Sequence, residues 1–229
     1  GDAALRRLFA DAGMRWIELE ALVDWFAEGE RRAASDAQRR IALDQARAVG
    51  AYHLKVAGDM SGAAPLNRMA EAFAALCAEA AADGIRVTIE LLPFSNLPSL
   101  DRGLAVLGKT RPSNGGLLLD AWHMTRGHVS FAQIAALPPG VCAAVELDDG
   151  PATPAIADPY TETITCRSLP GEGEFDLTGF LRAIRATGYD GPYGVEILSD
   201  AQRALDVKEA AQRAFDTTMA ALTGIGQPV

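Results

Sequence analysis

The stretch GGLLLDAWHMTRG, residues 115–127, places three leucines in a row directly before an aspartate. A continuous apolar run of this kind is typical of a strand that is buried on both faces, as in a parallel sheet. Asp120 follows the leucines, and His123 comes three residues later. A buried carboxylate needs a partner, because an unpaired buried charge is costly. The stretch therefore predicts a parallel sheet with a polar site at the carboxyl ends of its strands.

Short apolar runs alternate with amphipathic runs of helical length along the whole chain of 229 residues. This alternation indicates βαβ units, and about 30 residues per unit is usual in a (β/α) barrel. A doubly wound open sheet has the same alternation, but no GxGxxG motif follows the first strand. We predict one α/β domain over residues 1–229. The predicted strands are residues 16–22, 51–56, 86–92, 116–120, 141–148 and 193–198.

Three helix starts have recognisable end signals. Ser35 with Gln38 and Ser130 with Gln133 have the spacing of a capping box. Asp176 precedes a further amphipathic run and is predicted to cap it.

Four predicted strands each deliver one acid near the carboxyl end: Glu90, Asp120, Glu146 and Glu196. In a barrel these ends converge on the face where active sites are built. Converging carboxylates repel one another, and a divalent cation is the simplest compensation. Oxygen ligands suit Mg²⁺ or Mn²⁺, and an added imidazole would admit Zn²⁺ or Co²⁺. One acid at a strand end is more often a helix cap or salt-bridge partner, so the metal prediction rests on four acids in one register.

Two further residues have positions from which they can reach the same cleft. Lys55 lies near the end of the strand AYHLKV, and Glu20 follows WIEL. His53 shares a strand face with Lys55 and is expected to pack in the core.

Composition narrows the function classes. The net charge is −9, with 30 acidic residues against 21 basic ones, which disfavours a nucleic-acid ligand. No apolar run reaches the roughly 20 residues that span a bilayer, and residues 1–30 lack the pattern of a secretory signal. The three cysteines are widely spaced without a CxxC pair, which suits reduced thiols. We expect a cytoplasmic protein that binds neither nucleic acid nor membranes.

The motifs TIELLP, LLLDAWH, VELDDGP, SLPGEGEFDL and GYDGPYGVEIL occur in that order. In combination they resemble the sugar phosphate isomerase/epimerase family of xylose isomerase-like TIM barrels. The likeness runs from about residue 5 to residue 221 and is strongest over residues 86–198. It implies a (β/α)8 TIM-type barrel, and a homodimer or homotetramer is common among such proteins.

The resemblance also implies roles for individual residues. Its metal-ligand pattern of Glu, Asp, His and Glu carries over directly to Glu90, Asp120 and Glu196, and its DxxH motif places His123 near the substrate. The family's arginine before a PGxG loop matches Arg167, which would contact substrate; a solvent-exposed loop arginine is an equal alternative. In ketose epimerases the two glutamates also remove and return the proton, so both are expected to be ligands and acid/base groups.

Two features depart from the family pattern. Glu146 stands where a histidine ligand is usual, so the site would be all-carboxylate and would favour Mn²⁺ or Mg²⁺. His123 or Asp148 can supply the lost ligand. In addition, the family barrel has eight strands and the sequence predicts six. One missing strand would precede Gly1, and the other should lie between Leu22 and Ser35, where the sequence shows no strand pattern, so we expect a barrel that is incomplete at its N-terminus in this chain.

These expectations lead to a functional hypothesis. The sequence predicts a divalent-metal-dependent isomerase or epimerase of a small sugar or polyol, acting through a metal-stabilised enediolate. An inosose or dehydroshikimate type dehydratase is the alternative within enzymes, since it begins with the same proton removal. A non-catalytic barrel with a degenerate metal site is the alternative from another class, motivated by Glu146 and the missing strands.

Overall fold

The computed structural model describes residues 1–60, 65–108 and 111–226. The chain divides into two compact units, Gly1–Leu118 and Leu119–Val229. In the described residues the strands are β1 (Glu18–Leu22), β2 (His53–Ala57), β3 (Arg86–Glu90), β4 (Gly115–Asp120), β5 (Cys142–Leu147) and β6 (Tyr193–Val195). The helices are α1 (Asp2–Asp11), α2 (Arg32–Val49), α3 (Leu66–Ala81), α4 (Leu100–Leu107), α5 (Ala121–Arg126), α6 (Phe131–Ala135), α7 (Pro159–Thr165), α8 (Leu177–Ala186), α9 (Asp200–Arg203) and α10 (Val207–Gly224).

The predicted strands are all present, and strands alternate with helices as expected. Their bounds shift by up to three residues, since β6 ends at Val195 and not at residue 198. The strand-end positions of the acids are confirmed: Glu90 and Asp120 are the last residues of β3 and β4, and Glu196 directly follows β6.

In the first unit the strands pair in chain order. The pairs β1–β2, β2–β3 and β3–β4 are all parallel. Lys55 lies opposite Thr88, and Glu90 lies opposite Ala57 on one side and Leu118 on the other. Strands β2 and β4 are buried along their whole length. This burial explains the continuous apolar run of β4, whereas β2 also buries the polar side chains of His53 and Lys55.

Helix α3 covers this sheet and packs closely on the start of β4. A Cβ atom added to Gly115 would lie 2.8 Å from Phe73 Cε1 and 3.1 Å from Cys77 Sγ, closer than such contacts normally are. Phe73 and Leu76 are fully buried. The glycine at the start of β4 is therefore the residue that allows the helix to approach the strand.

In the second unit β5 and β6 pair in parallel, with Glu146 opposite Gly194. Helix α8 contributes Leu181 and Ile184, which are fully buried, and the indole of Trp122 is also fully buried. Across both units, none of the helices in the described ranges is both long and apolar enough to cross a membrane.

The helix-start predictions have mixed outcomes. Ser130 and Gln133 form the predicted capping box, and Asp176 caps α8 by accepting from Gly179 N–H at 2.8 Å. The prediction at Ser35 is wrong, because α2 begins at Arg32 and Ser35 lies inside the helix. Its hydroxyl donates to the backbone oxygen of Asp24 at 2.7 Å, so the serine ties the helix to the preceding loop.

Candidate active site

Asp120 connects the end of β4 to the start of α5. One carboxylate oxygen accepts the backbone N–H of His123 at 3.0 Å and caps the helix. The other oxygen accepts from Arg167 Nη1 at 2.7 Å, and the Asp120 side chain is fully buried. Arg167 Nη2 also lies 3.4 Å from His123 Nε2. Asp120 is therefore both a helix cap and a member of a buried charged cluster.

Arg167 is the centre of that cluster. Its side chain is 1% exposed, so the solvated alternative considered from the sequence does not apply. Its guanidinium pairs with three acids: Asp120, Asp148, and Glu196, whose Oε2 lies 3.0 Å from Nη2. Nε donates to the backbone oxygen of Thr163 at 3.1 Å. One positive charge thus faces three carboxyl groups, so a further cation would compensate the excess of acidic groups.

The charged neighbours set the ionisation of the cluster. Burial alone would raise the pKa of Asp120, but the charge of Arg167, with smaller contributions from His123, lowers this pKa to about 2. Burial and the charge of Asp120 raise the pKa of Asp148 well above its ordinary value, although Arg167 opposes this. Burial would lower the pKa of Arg167, whereas Asp120, Asp148 and Glu196 raise it. At neutral pH Asp120 is ionised and Arg167 is charged.

Oxygen atoms of three acids in the second unit are close enough to hold one cation. Asp120, Glu146 and Glu196 each offer a carboxylate oxygen within 4.8 Å of the other two. Nearby, Asp148 Oδ1 is buried and accepts no hydrogen bond from any residue in the described ranges. Carboxylate oxygens are the ligands that Mg²⁺ and Mn²⁺ prefer. The donor set therefore fits a hard divalent cation, and Glu146 supplies an oxygen where the family pattern has an imidazole.

A second charged cluster lies in the first unit, around Lys55. Its ammonium is 2.5 Å from Glu20 Oε2 and 3.7 Å from both Glu18 Oε1 and Glu90 Oε1, and its side chain is 1% exposed. His53, which is buried as expected, lies with Nε2 3.0 Å from Glu18 Oε1. Glu18 was not predicted from the sequence, where it is one of two acids in WIELE with no spacing that distinguishes it.

The carboxylate of Asp149 anchors the PGEG loop of the second unit. It accepts backbone N–H groups of Gly150, Gly171 and Phe175 at 2.8, 3.0 and 2.9 Å. A Cβ atom at Gly173 would collide with the Asp149 side chain, so the loop wraps this carboxylate only because position 173 is glycine. Asp149 was not predicted as a site residue, although it lies only three residues after Glu146.

The backbone of Asp149 also holds the residue next to Arg167. Asp149 N–H donates to the Ser168 oxygen at 3.0 Å, and Ser168 N–H donates to the Asp149 oxygen at 2.8 Å. A cavity of about 170 Å³ borders this segment and is lined in part by Arg167, Ser199 and Arg213. The anchor therefore fixes the position from which Arg167 reaches the acids.

Trp122 forms a packed wall beside the cluster. Its indole N–H donates to Thr163 Oγ1 at 3.0 Å. The guanidinium carbon of Arg126 lies 4.5 Å from the Trp122 ring and 5.2 Å from the Phe175 ring. Arg126 also makes a bidentate pair with the buried Glu162, with distances of 2.8 and 3.1 Å. Neither Arg126 nor Glu162 was predicted, because neither residue is itself part of a recognised motif.

The eight predicted site residues form two groups, one in each unit. The second unit brings together Asp120, His123, Glu146, Arg167 and Glu196. The first unit brings together Glu20, Lys55 and Glu90.

A family model described as xylose isomerase-like TIM barrel matches residues 2–217. The chain belongs to this family. The matched range includes every predicted site residue, and the match confirms the predicted (β/α) barrel class. The described residues contain six strands of this barrel.

A curated protein similar over most of the chain is a 3-dehydroshikimate dehydratase from Pseudomonas aeruginosa. The two are 28% identical over 215 residues, which is 90% of this chain and 33% of the relative. The chain thus spans about a third of the length of this relative.

Solved structures of other proteins have the same fold. The IolI protein, whose crystal structure contains a zinc atom, superimposes with a TM-score of 0.86 at 17% identity, covering 98% of this chain and 82% of that one. D-psicose 3-epimerase, solved in the presence of D-fructose, gives a TM-score of 0.75 at 19% identity, covering 99% and 85%. At these identities the similarity concerns the fold alone.

Proposed function

We propose that this chain carries a metal-dependent active site that removes a proton from the carbon beside a carbonyl group of a small hydroxylated substrate. The observation that carries the proposal is the group of oxygens from Asp120, Glu146 and Glu196, gathered within 4.8 Å of one another. Family membership supports it, since the chain matches the xylose isomerase-like model over residues 2–217.

Mn²⁺ or Mg²⁺ would be the preferred metal, because the three donors are carboxylate oxygens. Zn²⁺ and Co²⁺ are the alternatives if His123 joins the site. A divalent cation held there would polarise the substrate carbonyl and acidify the neighbouring C–H bond. Glu90 as a further ligand rests on the family resemblance and its place at the end of β3.

Glu196 is proposed as the base that accepts the proton. Its side chain is 18% exposed, whereas those of Asp120 and Asp148 are fully buried, so Glu196 is the acid of the Arg167 cluster that a substrate can reach. Arg167 would orient a carboxylate or polarised hydroxyl groups of the substrate, with His123 beside it. Glu90 as a second acid/base group, and Lys55 and Glu20 as substrate contacts, remain predictions from the sequence.

We place dehydration first among the reaction classes. The sequence alone favoured an isomerase or epimerase of a sugar or polyol, but a curated relative that matches 90% of this chain is a 3-dehydroshikimate dehydratase. In a dehydration, loss of the proton is followed by loss of a hydroxyl group. In an isomerisation or epimerisation, the second candidate, the proton is returned to carbon. Both reactions need the same base and the same stabilisation of negative charge on oxygen.

The deciding experiment combines metal analysis with detection of the shared first step. Elemental analysis after incubation with Mn²⁺ should find about one ion per chain in the wild type and much less in Asp120→Ala. NMR spectroscopy in D₂O should then show exchange or loss of the substrate C–H, with 3-dehydroshikimate, inososes and ketoses as probes. Glu196→Gln should lose this reaction while keeping the fold, and Glu209→Gln, which changes an exposed acid of α10, is the matched control.

The outcomes separate the candidates. A conjugated product detected by its absorbance would identify the dehydratase, whereas deuterium incorporation without net loss of substrate would identify the isomerase or epimerase. An absence of metal and of any rise in Tm on adding Mn²⁺ would refute the proposal and favour a non-catalytic barrel, since a ligand that binds the native state raises its Tm.

A further inference from the structure

Arg167 already occupies oxygen atoms that a metal would use. Its Nη1 lies 2.7 Å from Asp120 Oδ2, and its Nη2 lies 3.0 Å from Glu196 Oε2. The second oxygen of Asp120 accepts the N–H of His123 at 3.0 Å, so both oxygens of this acid are engaged. Two of the three acids that can hold a cation are therefore held by a guanidinium.

A guanidinium and a divalent cation compete for such acids. The guanidinium cannot lose its charge under ordinary conditions, and Asp120, Asp148 and Glu196 raise the pKa of Arg167 further. Because the Arg167 side chain is 1% exposed, solvent screens its charge only weakly. Repulsion between the two cations must therefore oppose metal binding at this position.

The structure also contains a place for the guanidinium to remain when the metal binds. Arg167 pairs with Asp148, which does not belong to the group of oxygens within 4.8 Å, and donates through Nε to the Thr163 oxygen at 3.1 Å. Its guanidinium carbon lies 5.7 Å from the Trp122 ring. These contacts do not involve Glu146 or Glu196, so they can persist while the acids turn to a metal.

We propose that Arg167 is a built-in competitor of the metal, which weakens metal binding by pairing with Asp120 and Glu196 and moves toward Asp148 when the metal enters. This inference rests on the proposed function, because it concerns the same metal site. It assigns Arg167 a role toward the metal in addition to any contact with substrate. By reciprocity, a ligand anion that draws Arg167 away from Asp120 and Glu196 strengthens metal binding.

The test is the affinity for Mn²⁺, measured by isothermal titration calorimetry on the full chain at neutral pH without substrate. Arg167→Met removes the charge and keeps an unbranched side chain of similar length. We expect its Kd for Mn²⁺ to be at least tenfold lower than that of the wild type. Arg32→Met is the matched control, since it removes the same formal charge from an exposed pair with Asp36. The control should bind Mn²⁺ within about twofold of the wild type, because exposed charges are screened.

A second variant keeps the proposal testable if Arg167→Met does not fold. Arg167→Lys retains the charge, but one ammonium cannot bridge two acids as the planar guanidinium does. Its Kd should fall between those of Arg167→Met and the wild type. An unchanged or higher Kd in both Arg167 variants would overturn the proposal.

The results also separate this inference from the proposed function. Mn²⁺ binding by the wild type that Arg167→Met does not strengthen refutes the competition alone. Binding only after Arg167 is replaced supports the competition and indicates that Arg167 blocks the site. If neither the wild type nor the variants bind Mn²⁺, both the metal site and the competition are refuted.

Discussion

Replacing Asp149 with asparagine should loosen the PGEG loop by a predictable amount. In Asp149→Asn the amide oxygen can still accept the N–H groups of Gly150 and Phe175, which share one carboxylate oxygen at 2.8 and 2.9 Å. The amide NH₂ group would then face the N–H of Gly171, which now donates to the other oxygen at 3.0 Å. Two donors face each other, and the remaining two hydrogen bonds lose the charge of the acceptor.

The magnitude follows from the bond that is lost. A hydrogen bond to a charged group contributes about 1.5–3 kcal/mol, and an unsatisfied partly buried donor costs a similar amount. We expect Asp149→Asn to lower the free energy of unfolding by about 2–3 kcal/mol. For a chain of this size each kcal/mol shifts Tm by about 2–4 °C, so Tm should fall by about 4–12 °C.

The assay is thermal unfolding followed by circular dichroism, together with hydrogen exchange at the amide of Gly171. Glu172→Gln is the control, because this exposed residue of the same loop pairs with Arg213 at 3.0 Å and an exposed pair contributes at most about 1 kcal/mol. The reasoning is refuted if Asp149→Asn lowers Tm no further than Glu172→Gln and leaves the Gly171 amide equally protected.

Three further predictions concern buried groups. Arg126→Met should cost about 3–5 kcal/mol in urea unfolding, because it leaves the buried carboxylate of Glu162 without its bidentate partner; a loss under 1 kcal/mol would contradict this. At neutral pH a thiol reagent should label the partly exposed Cys166 well before Cys142, for which burial raises the pKa to about 12; equal rates would count against it. The folded chain holds the Cys142 proton to higher pH than the unfolded chain does, so the contribution of this thiol to stability is complete below about pH 9 and declines above it. Cys142→Ala should therefore lose less stability than the wild type between pH 8 and 10, as measured by urea unfolding at several pH values.

The strand-end acids could be predicted from the sequence because strand geometry is local. The runs before Glu90 and Asp120 are short, apolar and bounded, so the end of each strand and the acid on it can be located from the pattern alone. Glu196 was also placed correctly, although β6 is shorter than predicted and only partly buried. Position along a strand is thus well determined by sequence when the strand is buried.

The partners of those acids could not be predicted from the sequence in the same way. Arg167 reaches Asp120 across 47 positions of the chain, and Arg126 reaches Glu162 across 36. Contacts at this separation depend on how helices and loops pack, which no local pattern encodes. A motif located Arg167, but its complete burial and its three acidic partners emerged only from the folded unit.

The start of α2 was mispredicted for a physical reason. A serine followed three residues later by glutamine also fits a helix interior when good helix formers precede it. Here residues 32–34 are Arg-Ala-Ala, which favour the helix, and Ser35 instead hydrogen-bonds the Asp24 oxygen. The tertiary contact replaced the capping role that the local sequence suggested.

The hydrogen bonds around Asp149 separate the backbone path of the PGEG loop from the side chains that the loop presents, two properties that usually change together. Asp149 holds the loop of residues 169–175 through hydrogen bonds from backbone N–H groups. These hydrogen bonds do not involve the side chain of Glu172, so they do not depend on which side chain stands at position 172. Variation at position 172 can therefore alter the chemistry presented by the loop without altering the path of the backbone. In directed evolution, position 172 can therefore be varied while the backbone of the loop keeps its path. A library at position 172 can be screened for new selectivity while Asp149 and Gly173 are kept.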